Sequence, residues 1–202
     1  MHEIIKKMGT YLEGKYKTPK LKKELIEADS IFSYRYKICR NGNVVYDLCT
    51  GHGILAAALA KFRRSSLVIG IDKLARQYWD YYYFIQNLLL VQGDIYNYPF
   101  DTIPPDVITA IHPCRGLAEQ VIRIAAKYEA DIYLMPCCVK RGIKRQSVFA
   151  QLLNHSQAID PQYVAWCFHL AEMMEEYGYD VRVRSPKRLR AVTPKSIILI
   201  GR

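Results

Sequence analysis

The chain has 202 residues, half of them hydrophobic and 24% charged, a globular composition that excludes a disordered chain and suffices for one core without metal or disulfide staples. No stretch approaches the roughly 20 consecutive apolar residues of a bilayer span, and Met1 to Lys17 mixes charges without the continuous apolar core of a secretory leader. The net charge of +10 is unevenly spread: residues 1–40 hold ten Lys and Arg against five Asp and Glu, residues 41–139 eight against nine, and residues 140–202 eleven against five.

If the two basic ends converge in space they form a face that attracts polyanions, so nucleic acid is the expected partner and a membrane is not. The six cysteines, Cys39, Cys49, Cys114, Cys137, Cys138 and Cys167, read as reduced thiols of an intracellular, cytoplasmic protein.

In chain order, residues 1–40 read as a basic helical extension. Ile4, Ile5, Met8 and Leu12, then Leu21, Leu25 and Ile26, recur at helical spacing, with Thr18-Pro19 between them. Tyr11, Tyr16, Tyr34 and Tyr36 sit among the lysines, where they could stack on bases or simply pack. Asn41-Gly42 is a turn, and residues 41–202 form the expected main domain. There the pattern becomes strand and helix in alternation: strand 43–48, helix 53–62, strand 66–71, helix 74–85, strand 88–92, loop 98–105, strand 106–111, helix 116–128, strand 131–135 and helix 161–177. Strands 179–183 and 196–200 close the chain through a basic connection, Arg184–Lys195, with no long helix between them. Such a pattern predicts an α/β fold. Its Rossmann-like sheet is seven-stranded and mostly parallel, with helices on both faces and an antiparallel final strand.

Candidate site residues fall at strand ends, where open α/β sheets bind ligands. The first strand runs into Asp47-Leu48-Cys49-Thr50-Gly51-His52-Gly53. A glycine-containing turn between strand and helix lets backbone approach a ligand closely, and its spacing is not that of the dinucleotide fingerprint. An Asp opening the turn suits a cationic group better than a pyrophosphate. Asp72, at the end of the second strand, is placed to accept both hydroxyls of a ribose or to cap a following helix. Lys73 adjoins it. Asp94, after the third strand, is placed to accept an adenine amine or to form a turn, with Ile95 beside it. The fourth strand ends in His112-Pro113-Cys114-Arg115-Gly116 and the fifth in Pro136-Cys137-Cys138. Histidine and cysteine there allow acceptor positioning, a general base, a thiolate metal site, or plain packing.

The His-x-Cys and Pro-Cys-Cys segments, together with the glycine loop, resemble a family of class I S-adenosylmethionine (SAM)-dependent methyltransferase domains. That family includes the tRNA 2′-O-methyltransferases of the acceptor stem. The likeness covers roughly residues 43–140. It implies SAM as cofactor, held by Asp47, Cys49, Gly51, Gly53, Asp72, Lys73, Asp94, Ile95 and His112. It also implies an RNA acceptor (tRNA or rRNA), with His112 and Cys114 on the catalytic side and no metal. The basic run Lys140, Arg141, Lys144 and Arg145 would then hold the substrate. The chain departs from the family at Cys49, where a glycine is usual, at Arg115-Gly116, and in the Val-Lys-Arg after Cys138. Two other readings stay open: a protein or small-molecule methyltransferase, and a SAM-binding RNA assembly factor without turnover.

Overall fold

The computed structural model describes residues 1–12, 21–137 and 160–202. The N-terminal helices are α1 (Glu3–Leu12), α2 (Leu21–Phe32) and α3 (Arg35–Ile38). Then follow β1 (Val44–Leu48), α4 (Ile54–Phe62), β2 (Leu67–Asp72), β3 (Leu88–Gln92), β4 (Val107–Ile111), α5 (Gly116–Lys127) and β5 (Asp131–Met135). The described part ends with α6 (Pro161–Glu176), β6 (Val181–Arg184), α7 (Lys187–Arg190) and β7 (Ile198–Gly201).

One seven-stranded sheet runs β3-β2-β1-β4-β5-β7-β6. The first five strands in that order are parallel. β7 is antiparallel to both β5 and β6, as the missing long helix before it predicts. The switch from β2 to β4 on either side of β1 opens the crevice in which this architecture binds ligands.

Two cores flank the sheet. One joins α1, α2 and α4 to it through Ile5, Met8, Ile31, Phe32, Leu55 and Leu59. The other joins α5 and α6 through Val121, Ile122, Trp166 and Leu170. Fully burying each such side chain contributes about 1.5–3 kcal/mol. The apolar spacing of residues 1–32 is thereby accounted for: α1 and α2 pack on α4 and complete one face of the sheet.

One element differs from expectation. Residues 74–85 form no α-helix; they hold a single 3-10 turn, Trp79–Tyr82. Six aromatics between Tyr78 and Phe84 would crowd every side of a helix, and aromatic residues are modest helix formers. Irregular backbone instead buries Tyr82 and Ile85 and leaves Tyr83 87% exposed. Among the described residues no helix is long and apolar enough to cross a membrane.

Candidate active site

β1 delivers its last residues to a sharp turn. Cys49, Gly51 and Gly53 all have positive φ, at 59°, 55° and 77°. This left-handed backbone suits glycine and strains Cys49. Gly53 starts α4, and a Cβ there would meet Leu90 Cδ1 at 3.3 Å. The turn is tied to the next strand, because Thr50 N donates to the Ile71 carbonyl at 3.0 Å.

Asp47 lies beneath this turn, 2% exposed. Both its oxygens accept from threonine hydroxyls: Oδ2 from Thr50 at 2.5 Å and Oδ1 from Thr109 on β4 at 2.8 Å. Burial pushes its carboxyl up to about 6, against the lowering effect of the two hydroxyls. The Cys49 thiol is pushed up to about 12, first by burial and then by Asp72 and Asp47. It is a neutral, unreactive group in the position of the usual glycine.

Asp72 is also committed to the backbone. Its Oδ2 accepts from Gly51 N at 2.9 Å and its Oδ1 from Leu74 N at 3.0 Å. Since no helix follows, the second bond closes a turn and does not cap a helix. Asp94 accepts from Tyr96 N at 3.1 Å and Lys73 Nζ at 3.2 Å. The backbone bond first, then the lysine, holds its carboxyl below the usual range. Trp79 in the irregular segment donates Nε1 to the Gly51 carbonyl at 2.9 Å, so this aromatic stretch braces the turn.

These groups converge. Asp47, Cys49, Gly51, Asp72, Lys73, Asp94, Ile95, His112 and Cys114 all line one cavity of about 530 Å³, a typical small-molecule size. Gly53, the N-cap of α4, is not among the residues that line it and packs toward Leu90 and Tyr82. Glu24 and Glu27 of α2, with Arg76, complete the charged lining. Five carboxylates thus face two fixed cations. The two glutamates were not legible in the sequence as site residues, since nothing in the helical spacing of α2 tells which face meets a cleft 20 or more residues away in the chain.

Both glutamates meet histidines of the site loops. Glu24 Oε2 is 3.0 Å from His52 Nδ1. Glu27, 1% exposed, has Oε1 2.7 Å from His112 Nε2 and 3.1 Å from Lys23 Nζ. The Glu27–His112 approach is short but lies off the hydrogen-bond line, and both ring nitrogens of His112 are buried. His112 itself has positive φ (57°), and its N–H is fixed by the Met135 carbonyl at 2.8 Å. Cys114 Sγ lies 3.2 Å from Cys137 Sγ at the end of β5. Among the described residues no His, Cys, Asp and Glu set is arranged to hold a metal ion. Lys140, Arg141, Lys144, Arg145 and Cys138 lie outside the described residues.

With sheet order, strand-end acids and cleft in view, the comparison with solved structures is direct. A chain of the complex between the Haloferax volcanii Trm112 methyltransferase activator and a methyltransferase superposes with TM-score 0.61 at 14% identity, covering 96% of each chain. Magnesium protoporphyrin IX methyltransferase from Synechocystis PCC 6803 gives 0.57 at 13% identity, over 95% of this chain and 90% of that one. The fibrillarin/Nop5p complex gives 0.53 at 14%, over 81% and 73%. The fold is the Rossmann-like methyltransferase fold. No protein-family model matches the sequence, and no curated protein matches it significantly. At these identities the methyltransferase fold is what the chain shares with its neighbours.

Proposed function

We propose that the chain is a SAM-dependent methyltransferase acting on RNA, with tRNA or rRNA as acceptor. The observation that carries the reading is the convergence of Asp47, Gly51, Asp72 and Asp94, from three successive strand ends, on one cavity rich in carboxylates. SAM brings a transferable methyl on a sulfonium cation, together with an ammonium and an adenosine.

The residues present fit that molecule. The carboxylate excess favours a cationic ligand over a phosphorylated one. Gly51 admits its methionine end close to backbone, and Gly53, at φ 77°, turns the chain into α4 beside it. Asp72 has lone pairs beyond its two backbone bonds with which to accept ribose hydroxyls. Asp94, with Lys73 and Ile95, forms the adenine end. His112 and Cys114 border the acceptor side.

Methyl transfer to an oxygen or nitrogen needs in-line alignment above all, so holding the acceptor against the methyl supplies much of the acceleration. His112 acts in this by anchoring: its ring is turned to Glu27, which fixes α2 as a wall of the cleft. The basic ends of the chain and the likeness of the His-x-Cys and Pro-Cys-Cys segments to tRNA 2′-O-methyltransferase domains favour RNA as acceptor.

The test is incubation of the purified protein with methyl-labelled SAM, with total RNA and total protein offered in separate reactions. Label in RNA is the expected result. Label in protein alone would replace the acceptor and keep the cofactor. A melting temperature unmoved by SAM or its demethylated product would remove the cofactor assignment.

A further inference from the structure

Residues 181–202 carry seven Lys and Arg and no Asp or Glu. The sheet decides where they lie. β7 runs antiparallel to β5, with Leu134 opposite Leu199, and β6 antiparallel to β7, with Arg184 opposite Ile198. The connection between β6 and β7 therefore sits at the carboxyl ends of the parallel strands, the rim that carries the cleft. It is a fixed part of that rim. Leu189 of α7 is fully buried in the core shared with α2 and α4. Arg188 Nη1 lies 3.2 Å from Asp29 Oδ2 of α2, and Asp29 also meets His2 and the terminal amine. The two basic ends of the chain meet here, on the helix whose Glu24, Glu27 and Ala28 line the cleft.

From this rim Arg184, Lys187 and Arg190 are exposed, as is Lys22 on α2. Among the described residues none of these four has a carboxylate partner, whereas Arg182 is taken by Asp180 at 3.0 Å and Arg188 by Asp29. Unpaired, exposed cations on a packed backbone are free to exchange counterions for phosphates. Arginine forks suit phosphate oxygens in particular.

We propose that Arg184, Lys187 and Arg190, flanked by Lys22, form the docking surface for the phosphodiester backbone of the RNA acceptor, beside the cleft. The inference rests on the proposed RNA reading and adds the place of binding. The division of labour is electrostatic. The carboxylate-lined cleft repels phosphates, so the backbone is held on the rim while one nucleotide is presented to the cavity.

Fluorescence anisotropy with labelled bulk tRNA between 50 and 200 mM salt tests it. The Lys187→Glu/Arg190→Glu variant should bind at least about tenfold more weakly, and its slope of log affinity against log salt should fall by about 1.5–2, near one for each lost contact. Arg64→Glu, exposed before β2 at the opposite end of the sheet, should change neither. The milder Lys187→Gln/Arg190→Gln pair gives the same readout if charge reversal perturbs folding. Melting temperature with and without SAM checks that the cleft is intact. Wild-type affinity and slope in the double variants would overturn the surface and leave the RNA reading standing. A wild-type protein that binds no tRNA yet melts higher with SAM would overturn both the surface and the RNA acceptor, and keep the cofactor. Equal displacement of tRNA by poly-glutamate would also overturn the proposal, by making the surface a site for acidic polypeptide.

Discussion

Asp47→Asn separates the role of the buried carboxylate in stability from its role in ligand binding. In the folded chain burial raises the Asp47 carboxyl from 3.8 to about 6. Below about pH 4 both folded and unfolded chains hold the proton, and Asp47 costs nothing. Between about 4 and 6 the unfolded chain has lost the proton while the fold keeps it. Unfolding then releases a proton, and stability falls as pH rises. Above about 6 both are ionised and the full cost is present. At about 1.36 kcal/mol per pH unit that cost is of order 3 kcal/mol. Asparagine carries no such charge but accepts from only one of the two threonine hydroxyls, a loss of about 1 kcal/mol. The variant should therefore be about 2 kcal/mol more stable than wild type at pH 7 and no more stable at pH 4. For a chain of this size that is about 4–8 °C in Tm at neutral pH. SAM binding should move the other way. A cationic ligand favours the ionised carboxylate, so wild-type affinity should rise as pH climbs through 6 and binding should release a proton there. Asp47→Asn should remove that part of the pH dependence. Calorimetric titration in two buffers of different ionisation enthalpy, beside melting curves at pH 4 and 7, measures both effects. A Tm difference between variant and wild type that stays constant from pH 4 to 7 would refute the buried, titrating carboxylate.

Three further outcomes are expected. Gly53→Ala places a Cβ on backbone at φ 77° and 3.3 Å from Leu90 Cδ1, which should cost about 1–2 kcal/mol in urea unfolding with an unchanged m-value and should weaken SAM binding. Glu27→Ala takes the partner from His112 and Lys23, 2.7 and 3.1 Å away; in a double-mutant cycle with His112→Leu the coupling should be about 1–2 kcal/mol, and a value near zero would dissolve the pair. Mild peroxide should join Cys114 to Cys137, whose sulfurs are 3.2 Å apart, each thiol losing its hydrogen as the peroxide is reduced to water; peptide mapping should find that link in wild type and not in Cys114→Ser.

The architecture was legible because each device that builds it is local. Alternation of strand and helix patterns fixes a parallel sheet, and the want of a long helix before the last strand foretold the antiparallel β7. Asp47, Asp72 and Asp94 were legible for the same reason: a strand end marks itself by where an apolar run stops. The aromatic segment 74–85 misled because apolar content without a clean period does not distinguish a helix from a loop that buries Tyr82 and Ile85, half-buries Tyr78, Trp79 and Tyr81, and exposes Tyr83 and Phe84. Trp79, Glu24 and Glu27 could not be read at all as site residues, since their roles depend on the packing of distant elements over the turn at Gly51 and the end of β4. His112 was legible as a strand-end residue and lines the cleft; its approach to Glu27 of α2 is a tertiary contact that the sequence does not show.

The uneven charge of the sequence acquires its meaning only when folded. A net charge of +10 would by itself recommend the whole surface to a polyanion, but the cleft inverts the sign locally, with five carboxylates against Lys73 and Arg76. The inversion is built from both ends of the chain. α2, from the basic N-terminal stretch, turns Glu24 and Glu27 toward the cleft, while its Lys22 is exposed and its buried Asp29 ties it to Arg188 of α7. On the proposed reading, a cationic cofactor and a polyanionic acceptor would have separate places within one rim, each repelled from the other's. This arrangement predicts unequal salt responses: RNA affinity should fall steeply with salt. The SAM affinity, set in a partly buried cleft where ions screen less, should change far less over the same range. Parallel loss of both with salt would mean that the two charges of the surface are not segregated in solution.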